Sequence, residues 1–162
     1  MPEYSTIDDI PAEKGVYVLV IKVVEDTSIN VGKLGSFVFG KGYYAYVGSA
    51  MGPGGLKARI KRHISKVKKL RWHIDYLTSN NYTEITAIIY STTSVNGMES
   101  RIAKILEEKL APSIKGFGST DTNDYTHLFK CISDLNKCVL LIANSMESLG
   151  LKPTILLLRH IY

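Results

Sequence analysis

The chain has 162 residues, 45% of them hydrophobic and 22% charged, with a formal net charge of +5 at pH 7. That length and apolar content give a single domain, 1–162, with one sizeable core, and exclude a disordered chain. The longest apolar runs, CVLLIA and TILLL, are far too short to span a bilayer, and the N-terminal segment has no basic stretch followed by an apolar one, so a membrane partner is excluded and a cytoplasmic location expected.

Taken in chain order, GVYVLVIKVV (15–24) is a β-branched run that predicts the first strand, and the polar EDTSIN after it reads as a turn. Residues 31–39, broken by Gly32 and Gly35, predict its hairpin partner with a bulge or bend, and 43–48 the third strand of an antiparallel group. From Leu56 the apolar positions Leu56, Ile60, Ile64 and Val67 trace a helical stripe. WHIDYL opens a short second helix, TEITAIIYS (83–91) is a strand, and MESRIAKILEEKL (98–110) is a helix stopped by Pro112. A polar loop leads to a short strand at 128–131, a helix at 135–147 and a last strand at 154–158. Cys131 and Cys138 are too few for a disulfide framework and are not spaced as zinc ligands, so both read as reduced core residues.

Charge is unevenly placed. In KARIKRHISKVKKLR (57–71), Lys57, Arg59, Lys61, Arg62, Lys66, Lys68, Lys69 and Arg71 are cationic and no residue is acidic. A solvated helix face usually mixes signs, whereas a run of one sign attracts a polyanion, most simply nucleic acid phosphate. A tyrosine-rich strand runs into this helix through GSAMGPGG. There Gly48, Ser49, Ala50, Gly52, Gly54 and Gly55 would keep one wall of a cleft low and offer amide N–H groups as a phosphate cradle, although a plain strand-to-helix turn also calls for glycine.

Gly15-Val16-Tyr17 in the first strand, Tyr46-Val47-Gly48 in the third, Arg59 with His63 one turn later and Glu99 opening a further helix resemble the signature of the GIY-YIG nuclease superfamily. YAYVGSA, GPGGL, RHISKVKKLRWHIDYL and GFGSTD are similar to a small subfamily, common in archaea, that also occurs fused to endonuclease III and is catalogued as a domain of unknown function. The resemblance covers residues 10–131, leaving 132–162 as a C-terminal strand-helix-strand extension packed on that core. It implies an α+β fold with a three-stranded antiparallel sheet flanked by helices, the two tyrosines side by side on neighbouring strands, and phosphodiester hydrolysis with one divalent ion, Mg²⁺ or Mn²⁺.

The residue types suit that chemistry. Glu99 would hold the metal, because Mg²⁺ keeps several waters and accepts a single carboxylate when substrate phosphate supplies another oxygen. Arg59 would pair with a non-bridging phosphate oxygen through its planar fork. Tyr17 or Tyr46 would orient or deprotonate the water, and the choice between them stays open; His63, four residues after Arg59, would assist with the proton or touch phosphate. Ser49 and His73 join the cationic run as nucleic-acid contacts. Singly, each residue has a structural alternative: a strand tyrosine packs amphipathically, Arg59 is a solvated helix residue, and Glu99 favours a helix N-terminus. The chain also departs from the superfamily's pattern. Its loop between Gly48 and Arg59 is longer, Ser49 stands where lysine is often found, and no Asn follows Pro112, so Asp121 or His127 would take that place; Thr122 and Asp124 replace cysteines usual in the subfamily.

The expectation is therefore a metal-dependent endonuclease acting on nucleic acid, with DNA the expected substrate, in repair or recombination and with a repair protein as a candidate partner. The alternative is a non-cleaving nucleic-acid-binding module on the same scaffold, and a third reading is a protein-interaction domain that docks a partner on exposed aromatics.

Overall fold

The β-branched run at 15–23 becomes the centre of the molecule because it is apolar on both faces and can be buried on both. In the computed structural model, which describes residues 3–4 and 6–158, the elements are β1 (Glu3–Tyr4), β2 (Gly15–Val23), β3 (Thr27–Asn30), β4 (Ser36–Phe39), β5 (Gly42–Ala50), α1 (Gly55–Ile64), α2 (His73–Thr78), β6 (Thr83–Thr92), α3 (Met98–Lys109), β7 (Ala111–Pro112), β8 (Leu128–Lys130), α4 (Leu135–Ser148) and β9 (Thr154–Leu157). β2 pairs antiparallel with β5 on one side and β6 on the other along its whole length.

Side-chain alternation along β2 divides the interior in two. Tyr17, Leu19, Ile21 and Val23 face one layer with Leu56 and Ile60 of α1 and Ile74 and Leu77 of α2. Val16, Val18 and Val20 face the opposite layer with Ile102 and Leu106 of α3 and Ile142 and Met146 of α4. The described residues thus form an α+β protein with four α-helices on a predominantly antiparallel sheet.

The sheet is larger than the three strands expected. Among the described residues it has seven, in the order β1-β9-β6-β2-β5-β8-β7, with β1 and β9 its parallel pair. The segment at 31–39 does not pair with the first strand: β4 pairs with β3 in a separate two-stranded ribbon. The last four residues of the EDTSIN turn are β3, whose polar residues lie toward solvent while Ile29, Val31 and Phe39 enter the core. The C-terminal segment supplies α4 to one helical layer and β9 to the sheet, where β9 pairs with β6.

The cysteine expectation is corrected. Cys131, just past β8, and Cys138, in the first turn of α4, form a disulfide with their Cα atoms 6.0 Å apart. A tight turn brings them together: Asp134 caps α4 by accepting from the Lys137 N–H at 2.9 Å, which folds the strand end back against the helix. Two cysteines make no framework, but a single local bridge needs no more. No helix among the described residues is long and apolar enough to cross a membrane.

Candidate functional site

Tyr17 and Tyr46 stand on neighbouring strands, offset by one pair on the same face, since Tyr17 is opposite Gly48 and Leu19 opposite Tyr46. Gly48 is demanded by this arrangement: a Cβ there would lie 2.5 Å from both Cζ and the hydroxyl oxygen of Tyr17. The Tyr17 ring occupies the space a side chain would need. Both rings are buried, yet each contributes to the wall of one cleft of about 420 Å³, together with Gly48, Ser49, Arg59, His63, Arg71, Trp72, His73, Glu99 and residues of the loop before β8.

His63 comes off the buried side of α1 and bonds to the Tyr17 hydroxyl through Nε2 at 2.7 Å. Its Nδ1 takes no partner among the described residues. Burial, reinforced by the Lys68 cation and only partly countered by Asp75, pushes the imidazole pKa down to about 3, so the ring is neutral at physiological pH. Burial also raises the Tyr17 phenol, against the pull of Arg59 beside it, and raises the Tyr46 phenol well above its ordinary range, with Tyr17 adding to the effect. Neither tyrosine rests as a phenolate.

Arg59 is held at the cleft by donating Nη1–H to the Ser49 carbonyl at 3.1 Å and by lying 4.5 Å from the centre of the Trp72 ring. Glu99, in the first turn of α3, lines the same cleft, and its carboxylate takes no hydrogen bond or ion pair among the described residues. The opposite wall is the loop between β7 and β8. Gly118, at φ +70°, packs so closely on Tyr46 that a Cβ would come within 2.8 Å of that ring, and its N–H donates to His73 Nδ1 at 2.9 Å. Burial lowers the His73 pKa. A second set of bonds ties the loop to α3: Asp124 Oδ2 accepts from Ser100 at 2.5 Å and meets His127 Nε2 at 2.8 Å.

The model of the family described as Domain of unknown function DUF123 matches residues 16–150, which includes every one of these groups. The chain belongs to that family. No curated protein and no solved structure matches it.

In this DUF123 domain the sequence-derived candidates separate into two groups. Tyr17, Tyr46, Ser49, Arg59, His63, Arg71, His73 and Glu99 line the cleft. Lys57, Lys61, Arg62, Lys66, Lys68 and Lys69 do not, and three of them have their head groups occupied within the fold. Arg62 forks onto Asp75, with Nη1 to Oδ1 at 2.7 Å and Nη2 to Oδ2 at 2.8 Å. Lys66 donates to the Asn80 and Thr83 carbonyls, and Lys68 to the Arg62 and His63 carbonyls and to Thr78 Oγ1. The cationic run is thus partly an internal clamp holding the α1–α2 connection, while Lys61, Lys69 and Arg71 stay exposed.

The expected phosphate cradle at the start of α1 is also corrected. The Gly55, Leu56 and Lys57 N–H groups donate to the carbonyls of Gly52, Glu13 and Pro11 respectively, so they fix the helix start and dock it on the segment before β2 instead of facing a ligand. Two features of the site were not anticipated: Trp72, noted only as the start of a helical block, and the Ser100–Asp124–His127 ties. The GFGSTD text was their one sequence signal.

Proposed function

We propose that the cleft hydrolyses phosphodiester bonds in nucleic acid, as a divalent-metal-dependent nuclease of the GIY-YIG type. What carries this reading is that Tyr17, Tyr46, Arg59, His63 and Glu99, from two strands and two helices far apart in sequence, line a single cleft with complementary roles for that reaction.

The donor set fits a hard cation. Glu99 offers an otherwise unpaired carboxylate to an open cleft with space for retained waters, and no group of three His, Cys, Asp or Glu gathers among the described residues to favour zinc. Glu99 would hold Mg²⁺ or Mn²⁺, which supplies positive charge to the phosphate and the leaving oxygen. The protein's own groups do the rest. Arg59, fixed by Ser49 and Trp72, binds a non-bridging oxygen and stabilises the charge that builds on it. Tyr17 orients the attacking water. His63 Nε2 accepts from the Tyr17 hydroxyl and fixes the phenol's direction, which requires the His63 tautomer carrying hydrogen on Nδ1. Tyr46, set against Phe117 and His63, positions the wall of the site.

The burial of both phenols favours a second reading, a binding module that keeps the scaffold without cutting, because neither tyrosine is a ready base. Glu99→Gln separates the two. On the nuclease reading it abolishes single-turnover cleavage of labelled single-stranded, duplex, flap or junction substrates in Mg²⁺ while thermal stability and metal-free binding persist. Cleavage by Glu99→Gln at the wild-type rate refutes the assignment of the metal to Glu99, and a wild type that cuts nothing in Mg²⁺ or Mn²⁺ leaves the binding module standing.

A further inference from the structure

Trp72 is the chain's single tryptophan, and it occupies a position that internal packing does not account for. It is the N-cap residue of α2, where a short polar side chain is the usual choice, and it is 38% exposed at the cleft wall. Its backbone is fixed, since the N–H groups of Arg71 and Trp72 both donate to Asp75 Oδ2 at 2.8 Å. Every ring or cation contact it makes among the described residues comes from one helix: Arg59 at 4.5 Å, Arg62 at 4.2 Å and His63 with centroids 6.3 Å apart, all on α1. The indole N–H takes no partner among the described residues.

The chain just before it is unusual in the same way. Val67 is 91% and Leu70 45% exposed, beside Lys69 and Arg71, whose head groups find no partner among the described residues. Phosphate alone would call for the cations and leave the apolar side chains without purpose. Bases give them one, because a nucleobase stacks on an aromatic ring or a guanidinium plane and leaves its phosphates to nearby cations.

We propose that Trp72, braced by Arg59 and Arg62, is a stacking platform for an unpaired base, and that the cleft's substrate class is single-stranded or locally melted nucleic acid. Arg59 touches Trp72 and lines the cleft with Tyr17 and Glu99, so a base on the indole sets its flanking phosphate at that guanidinium. A base inside an intact duplex is already stacked on both faces and reaches the platform only after unstacking, which selects against continuous duplex. The inference rests on the reading of the cleft as a nucleic-acid site, but not on cleavage.

The test uses the metal-free protein and three probes: a short oligodeoxythymidine, a sugar–phosphate strand of equal length without bases, and the matching duplex. With a single tryptophan, intrinsic fluorescence reports this site alone. The expected result is quenching of Trp72 by the oligodeoxythymidine and by neither other probe, with binding roughly ten- to a hundredfold tighter than to the baseless strand, the range of one base stack. By anisotropy of labelled strands, Trp72→Ala loses that preference and Trp72→Phe retains most of it, the readout being the ratio of the two affinities because Arg59 also rests on this ring. Thermal unfolding checks the variants, and if the alanine variant does not fold, Trp72→Leu, which fills the space without an aromatic face, takes its place with the same expected loss of preference. Equal affinity for based and baseless strands, or a preference unchanged in Trp72→Ala, overturns the platform while leaving a nucleic-acid cleft. Failure of every probe to bind at low salt overturns the nucleic-acid reading itself and the platform with it.

Discussion

Replacing Asp75 with asparagine tests the clamp that holds the cleft's outer wall. The Asp75 side chain is fully buried and accepts four hydrogen bonds: two from the Arg62 guanidinium and two from the Arg71 and Trp72 backbone N–H groups. The asparagine side chain would keep one acceptor oxygen and turn an amide donor toward groups that are themselves donors, stranding part of the Arg62 charge. Breaking a buried ion pair from one side costs about 3–5 kcal/mol, and because the Arg62 side chain is 24% exposed and recovers some hydration, about 3 kcal/mol is the expected loss. For a chain of this size that lowers Tm by roughly 6–12 °C. The effect has a pH signature. Burial pushes the Asp75 carboxyl up, but the Arg62 guanidinium and the two amides outweigh it and hold the pKa below the ordinary carboxylate value. A depressed pKa contributes stability that is present above the unfolded-state value, near pH 4, and is lost as pH falls through the folded-state value. Wild type and Asp75→Asn should therefore differ fully at pH 7 and converge below about pH 4. Thermal unfolding across pH 3–8 measures both quantities. A Tm difference under about 2 °C at pH 7, or one that persists undiminished to pH 3, refutes the clamp.

Gly48→Ala would drive a Cβ into the Tyr17 ring, costing about 1–3 kcal/mol as overpacking and breaking the Tyr17–His63 bond; unfolding and cleavage assays should show activity falling further than stability, and an unchanged Tm would contradict the close approach. Among the cations, Lys61→Gln and Lys69→Gln should each flatten the salt dependence of single-strand binding by about 0.7 in log–log slope without moving Tm, whereas Lys66→Met and Lys68→Met should lower Tm and leave that slope alone. A uniform loss of slope across all four would mean that the clamp lysines also face phosphate.

Much of the fold was legible because its apolar patterns are long. β2, β5, β6, α3 and α4 lie within about two residues of where their β-branched runs and helical stripes place them, whereas α1 ends at Ile64 and leaves Val67, the last position of its expected stripe, outside the helix and exposed. What the sequence concealed depends on pairing at a distance. β3 carries a single apolar residue, Ile29, among polar ones, so it read as a turn. β7 is two residues containing a proline, tolerable only as an edge strand. The cationic run looked uniform because charge is visible in the text and hydrogen-bond destinations are not: those of Lys66 and Lys68 include Asn80, Thr83 and Thr78, ten or more positions away. The cleft's membership was legible from the order of the tyrosine, arginine, histidine and glutamate motifs, whereas the loop wall at Gly118 and the indole of Trp72 needed the geometry.

The strand order has a consequence for how the protein is made. β9 covers the outer edge of β6, register Ala87 to Leu157 through Tyr90 to Thr154, yet among the described residues it follows every other strand in the order of synthesis. Until then β2, β5 and β6 can already be assembled, with the edge of a long and largely buried strand unpaired. Such an edge is a template for another chain. A polysome brings many copies of this one together at the same stage of synthesis, so translation past Leu157 sets how long each nascent chain is exposed to its neighbours.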